Sequence, residues 1–311
     1  MLKWLLRIVG LLVLIFGGLF WWLMLSGSDA PKQAPDVFDL DDWRSKAAAP
    51  ADLLPTEIRV IEVGHDLAPA FAAQAGRFGA PLAMSYNAVE ITYPDRTVVV
   101  GGAVDRPTAE SMTQSAADWR FSDTAYDALT STMLTAEQVV ITHEHLDHIM
   151  AIARHPDPAG LAPKLVMNAP QIDVLPMFAI GALDPALASL APRLTGNVES
   201  IAPGIVIVPA AGHTPGAQNV FITLQNGEEI LLIGDTVWNM GALEALKTRP
   251  ILTQYVVFRP NYEDRGAVKN QVRALYDMIE LNPDLRVLPA HDRDALIEAA
   301  NVDGISFSAA D

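Results

Sequence analysis

The sequence predicts a mixed α/β fold, with sheets covered by helices, behind a single apolar N-terminal helix. Three observations lead there. Strand-like runs and helical stretches interleave from about residue 56 onward. Two pairs of those runs meet across tight-turn signals, and residues 8–25 form 18 consecutive positions without a charge. With 311 residues, half of them apolar, the chain can bury a substantial core.

Taken in order, the first element is the uncharged stretch. As a helix it reaches roughly 27 Å, close to the hydrocarbon thickness of a bilayer. Trp21 and Trp22 stand near its far end, where indoles favour the membrane interface. Lys3 and Arg7 precede it, and Ser26, Gly27, Ser28 and Asp29 follow, so the positive-inside rule puts the N-terminus in the cytoplasm. Residues 1–25 are therefore expected to be a cytoplasmic tip and transmembrane anchor, with the remainder outside the cytoplasm, on the periplasmic side in a bacterium. The alternative is a signal peptide cleaved near Ala30, for which the apolar run is long and the small-residue cleavage signal weak. Residues 26–55, with Pro31, Pro35, Pro50 and Pro55 among acids, read as a linker or stalk rather than a packed element.

One domain, 56–311, follows. Residues 58–63 read as a strand, and 84–92 with Thr97–Val100 as a hairpin across Pro94 and Asp95. A helix is expected over 122–134. The strands 219–224 and 229–233 flank Asn226-Gly227, the strongest short hairpin-turn signal in the chain. A second helix is expected over 263–281, where Val268, Val272, Leu275 and Ile279 recur at helical spacing.

Composition narrows the function. A formal charge of −16 argues against nucleic-acid binding and favours small-molecule substrates. With no cysteine, disulfides, thiolate metal sites and a cysteine nucleophile are excluded, so any metal is held by His, Asp or Glu.

The chemistry concentrates in Val139-Val140-Ile141-Thr142-His143-Glu144-His145-Leu146-Asp147-His148, a buried strand ending in four potential ligands. His143 and His145 point the same way only in an extended or loop backbone, after which Asp147 and His148 would open a helix over 147–154. Imidazole and carboxylate suit zinc, and also iron or manganese. Three further candidates also follow apolar strand-like runs: His213 after 205–209, Asp235 after 230–234, and His291 after Val287 and Leu288. Strand ends along one sheet edge are where α/β proteins gather ligands. His65 and His155 lack ligand spacing and are read as turn or helix-end residues. Glu144, between two ligands, is read as pointing away from them, into the surrounding shell or solvent.

The HxHxDH run, Gly212-His213-Thr214-Pro215-Gly216, Gly234-Asp235 and His291 together resemble the ordered metal motifs of the metallo-β-lactamase superfamily. The resemblance implies an αββα sandwich with metals at one edge of two facing sheets. It also implies that His143, His145 and His213 hold one metal, that Asp147, His148 and His291 hold a second, and that Asp235 bridges them. Two zinc ions are the expected cofactor, with iron or manganese as alternatives. The implied activity is hydrolysis of an ester-like bond (lactone, thioester, phosphate or sulfate ester) by a hydroxide shared between cations roughly 3.5–4 Å apart. Asp147 would orient or deprotonate the attacking water. Thr214 and Gly216 would support the loop of His213.

Within that superfamily, Asp235 resembles the glyoxalase-, lactonase- and phosphodiesterase-like branch, whereas β-lactamases often carry cysteine or serine there. Lactonase-like relatives place a tyrosine three residues later, where this chain has Trp238. Many relatives have Asp-Thr-Gly where this chain has Gly101-Gly102-Ala103, with Asp105 the nearest acid. The competing readings are an iron-dependent oxidoreductase on the same scaffold, a β-lactam hydrolase and an inactive membrane scaffold. Trp238, Tyr255, Phe258 and Tyr262 lie between two ligands, where they could line a pocket or belong to ordinary core.

Overall fold

A computed structural model of the protein describes residues 2–113, 118–258 and 263–310. Its first sheet runs in the order β11-β1-β2-β3-β5, formed by β1 (Glu57–Ala68), β2 (Leu82–Thr92), β3 (Thr97–Val100), β5 (Gln138–Val140) and β11 (Ile305–Ser308). The short β4 (Arg120–Phe121) pairs with β1. The second sheet runs β10-β9-β8-β7-β6, from β6 (Glu199–Ala202), β7 (Ile205–Pro209), β8 (Gln218–Thr223), β9 (Glu229–Leu232) and β10 (Arg286–Leu288). Both expected hairpins form: Thr92 pairs with Thr97 beside the Pro94-Asp95 turn, and Thr223 pairs with Glu229 around Asn226-Gly227.

Side-chain alternation builds the layers. Ile58, Val60, Val89, Ile91 and Val98 from the first sheet meet Ile205, Ile207, Val220, Ile222 and Ile230 from the second. The intervening residues face outward and are covered by helices. On the first sheet, Val63, Val99 and Val139 pack against Leu129 and Met133 of α4 (Asp123–Thr135) and Ile149 and Ile152 of α5 (Leu146–Ala153). On the second, Val206, Phe221 and Leu231 pack against Val268, Val272 and Leu275 of α7 (Arg265–Leu281). The remaining helices used below are α1 (Leu2–Met24), α2 (Leu40–Ala47), α3 (Arg106–Met112), α6 (Ile251–Val256) and α8 (Arg293–Ala299). The result is the αββα sandwich.

Caps set the helix starts. Ser122 accepts from Ala125 N at α4, as the expected 122–134 helix requires. At α7 Asp264 accepts from Gly266 N and Ala267 N. This begins the helix two residues later than its apolar spacing alone indicates and leaves Glu263 outside it.

The segment 26–55 departs from the expected stalk. Leu40, Trp43 and Ala47 lie on one face of α2, and Trp43, only 1% exposed, packs on Phe221 of the second sheet. Pro and Asp in the flanks conceal a single amphipathic turn pair that begins at the cap Asp39. Nor does the chain leave the domain directly after α1. Ser28 is buried, and its carbonyl accepts Thr248 N at 2.8 Å. Ala30 N donates to Leu246 O at 2.9 Å, and Arg265 donates to Gly27 O at 3.0 Å. Helix α1 itself has 23 residues, is long and apolar enough to cross a membrane, and is exposed along nearly its whole length.

Candidate metal centre

The site is built where strand ends of both sheets meet. β5 runs out through buried Val140 and Ile141, and the chain stays non-helical up to His145 (φ −75°, ψ 159°), the residue before α5. Two rings thus project from a non-helical segment, while Asp147 and His148 sit in the first turn of α5. His213 follows β7, Asp235 follows β9, and His291 follows β10. His143, His145, His213 and Asp235 converge as one group that could hold a metal ion, and Asp147, His148 and His291 as another. All seven residues expected from the sequence are brought together.

Asp235 stands between the groups, with its two oxygens divided. Oδ2 lies 3.7 Å from His143 Nε2 and 3.5 Å from His213 Nε2, whereas Oδ1 lies 3.4 Å from His148 Nε2 and 3.2 Å from His291 Nε2. Asp147 Oδ2 is 3.2 Å from His291 Nε2. The His143 and His148 rings are 3.9 Å apart between centroids, and those of His145 and His213 are 4.6 Å apart.

Partners behind the rings settle which nitrogen faces the centre. His213 Nδ1 lies 2.7 Å from the Glu263 carboxylate and His291 Nδ1 lies 2.8 Å from Ser85 O. Both partners can only accept, so Nδ1 carries the proton and Nε2 presents a lone pair inward. His143 Nε2, His213 Nε2 and Asp235 Oδ1 are buried without any hydrogen-bond partner among the described residues. Buried polar atoms are rarely left so, and a divalent cation fits this donor set of imidazoles and carboxylates. Burial holds His143 well below the usual imidazole range and takes His145 down to about 3. Burial opposes ionisation of Asp235 and Asp147, but the neighbouring histidines outweigh it, holding Asp235 well below the carboxylate range and Asp147 at about 2.

Glu144 points away from the rings but into protein, not solvent. Its carboxylate accepts Thr214 Oγ1 at 2.7 Å and Gly216 N at 2.8 Å, tying the HxH segment to the loop of His213. A Cβ on Gly216 would lie 2.6 Å from Glu144 Oε2, so only glycine allows this approach. Thr214 thus acts on the loop of His213 through a carboxylate from the HxH segment.

Glu263 and Arg249 were not singled out in the sequence. Arg249, 1% exposed, pairs with Glu263, which also accepts from Gln254. Burial resists ionisation of Glu263, yet the Arg249 guanidinium and the His213 hydrogen bond take its carboxyl down to about 2. The only signal was position: an acid immediately ahead of a helix. Of the remaining histidines, His155 acts at a helix end as expected, accepting Asp157 N at 3.0 Å. His65 does not occupy a turn but lies within β1, 3.3 Å from Glu62, because that strand continues to Ala68.

A cavity of about 200 Å³ opens beside Asp147, Asp235 and His291, with Met84, Tyr86, Trp238 and Phe258 among its walls. Tyr255 is half-exposed at the surface and outside that lining, and Tyr262 lies outside the described residues.

No protein-family profile matches the sequence, and no curated protein matches it. Solved structures do match by shape. A quorum-quenching N-acyl homoserine lactone lactonase superposes with a TM-score of 0.54 at 12% identity, over 78% of this chain and 95% of that one. An N-acyl homoserine lactone hydrolase with N-hexanoyl-L-homoserine bound at its catalytic metal centre gives 0.53 at 12%, over 78% and 95%. A probable metal-dependent hydrolase from Staphylococcus aureus gives 0.55 at 12%, over 77% and 90%. The chain has the metallo-β-lactamase fold.

Two departures from the motifs that the sequence resembles acquire local explanations. Trp238, in place of tyrosine, turns its indole Nε1 onto Asp235 Oδ2 at 2.8 Å. Gly102, in the segment replacing Asp-Thr-Gly, presses on the start of α5: its N donates to His148 O at 2.8 Å, and a Cβ there would meet that oxygen at 2.6 Å. Asp105 caps α3 through Thr108 N and takes Arg154 at 2.9 Å, a structural role outside the centre.

Proposed function

We propose that the protein is a membrane-anchored, dinuclear metal-dependent hydrolase of ester-like bonds. The observation that carries this reading is the divided carboxylate of Asp235, one oxygen towards each group of histidines. His143, His145 and His213 would hold one divalent cation and Asp147, His148 and His291 the other, with Asp235 shared. Zinc suits the set, and iron or manganese would also be accepted. Bound there, a pair of cations would supply a hydroxide nucleophile near neutral pH and Lewis acidity towards the substrate's carbonyl or phosphoryl oxygen.

The chain's own groups do the rest. Glu263 and Ser85 O fix the ring orientation of His213 and His291, and Trp238 steadies Asp235. Asp147, the least buried of the acids there and on the cavity wall, orients the attacking water and accepts its proton. Tyr86, Trp238 and Phe258 exclude bulk water from the cavity. In the overall reaction one water is consumed: the bond to the leaving oxygen or sulfur breaks, hydroxyl stays on the acyl or phosphoryl centre, and a proton ends on the leaving group.

Retention of α1 as an anchor is part of the proposal, and the burial of Ser28 supports it, since cleavage near Ala30 would strip bonds that the domain makes to 27–30. The test is a panel of lactone, ester, thioester, phosphodiester, sulfate-ester and β-lactam substrates, with and without chelator. Turnover lost on chelation, restored by metal and abolished in His145→Ala and Asp235→Ala is expected. Full activity in either variant contradicts the assignment.

A further inference from the structure

The cavity of the proposed centre lies beside the membrane helix. The last turns of α1 rest on the domain at two places: the Phe20 ring stacks on Phe78 at 5.9 Å, and Trp22 meets Tyr255 of α6 at 6.3 Å. Leu25 lies beside Gly76, where an added Cβ would meet its Cδ2 at 3.4 Å. Trp21 and Trp22 mark the level of the bilayer interface on α1. Phe78 and α6 are therefore held at that same level. Near those two contacts Phe78, Val256 and Val257 are 55%, 71% and 51% exposed, large apolar side chains left open to solvent. Val257 and Phe258, where α6 ends, are also walls of the cavity that opens on Asp147, Asp235 and His291.

The placement is fixed rather than tethered. Ser28 Oγ donates to Arg249 O, Arg265 donates both to Arg249 O at 2.8 Å and to Gly27 O, and Asp29 pairs with Lys247. The exit of α1 is thus bonded to the residues immediately before α6. Arg249 in turn holds Glu263, which orients His213.

We propose that the exposed side chains of Phe78, Val256 and Val257 lie in the bilayer interface, so that the cavity receives the apolar chain of a membrane-borne amphiphile whose ester-like bond is cut at the metal centre. The substrate half of this inference rests on the hydrolase reading above; the surface half does not. The cavity's walls are mostly apolar. Among the described residues, a soluble, strongly charged substrate would meet no counter-charge on those walls except the site's own carboxylates and histidines.

The chain has no cysteine, so Val256→Cys and Asp95→Cys each create a single labelling site, the second at the β2–β3 turn, at the opposite end of the strands from the centre. Full-length protein is labelled with a fluorophore and placed in phosphatidylcholine vesicles. The label at position 256 is expected to be quenched by nitroxide carried on the lipid and protected from aqueous iodide, with the reverse at position 95. Equal iodide access at both positions overturns the membrane-facing surface, whatever the activity.

For the substrate half, a chain-length series of the bond class that turns over is compared in the same vesicles. A rise in kcat/KM of up to about fourfold per added methylene, the worth of burying one CH2, is expected until the cavity is filled. Val256→Asp is expected to lose turnover of the long-chain member while keeping that of the shortest, soluble one. A flat series, or equal turnover of both members in Val256→Asp, overturns the amphiphile assignment alone. A protein inert towards every bond class contradicts the hydrolase reading and the amphiphile with it.

Discussion

Glu144 accepts the backbone N–H of Gly216 at 2.8 Å, across 72 residues of chain. The carboxylate between two ring-bearing residues thereby joins the HxH segment to the loop carrying His213. Glu144→Ala leaves that N–H and the Thr214 hydroxyl buried without their acceptor. It is expected to weaken metal retention by about 10- to 100-fold, as loss of a group that orients ligands does, while the protein still folds. Metal competition against a chelator of known affinity measures this. Unchanged affinity would show that the two loops hold the site without the clamp.

Arg249 and Glu263 form a fully buried ion pair against His213. Arg249→Met keeps much of the volume but strands the carboxylate, and is expected to cost about 3–5 kcal/mol in denaturant unfolding. The sign with pH follows from the depressed carboxyl. Its ordinary value is 4.5 and its folded value about 2, so the stabilisation is fully present above 4.5 and is lost as pH falls towards 2. The difference between wild type and Arg249→Met should therefore shrink over that window. A difference constant across it would remove Glu263 as the cause.

Trp238 donates to the same Asp235 oxygen that faces His143 and His213. Trp238→Phe keeps an aromatic wall beside Phe258 and removes the donor. A hydrogen bond to a charged group is worth about 1.5–3 kcal/mol, so kcat/KM is expected to drop about 10- to 100-fold. Metal content should stay at the wild-type level. Steady-state kinetics alongside elemental analysis separates the two effects.

Trp43 contributes a fully buried indole from α2 to the outer face of the second sheet. Trp43→Ala is expected to destabilise the protein by about 3–5 kcal/mol. A loss of only a few tenths would mean that residues 40–47 are dispensable to the core.

Much of this was legible in the sequence because it rests on short-range pattern. The hairpin turns at Pro94-Asp95 and Asn226-Gly227, the helix beginning at about Ser122 and the period-2 strands are each set by neighbours within a few residues. The seven converging side chains were legible for the same reason, each standing just past an apolar strand. What escaped depends on partners distant in the chain. Glu263 matters because Arg249, Gln254 and His213 surround it, and α2 is fixed because Phe221 lies beneath Trp43. Nothing in the spacing of those residues reveals such contacts. Composition misled at 26–55, where prolines flank one short amphipathic helix.

The central claim is tested most directly by the metal content of purified full-length protein, measured by elemental analysis after dialysis against metal-free buffer. About two equivalents of divalent metal per chain are expected, with both lowered in Asp235→Ala, because that residue faces each group of histidines. A folded wild-type protein that retains less than about one equivalent, even after exposure to zinc, manganese and iron, would contradict the account.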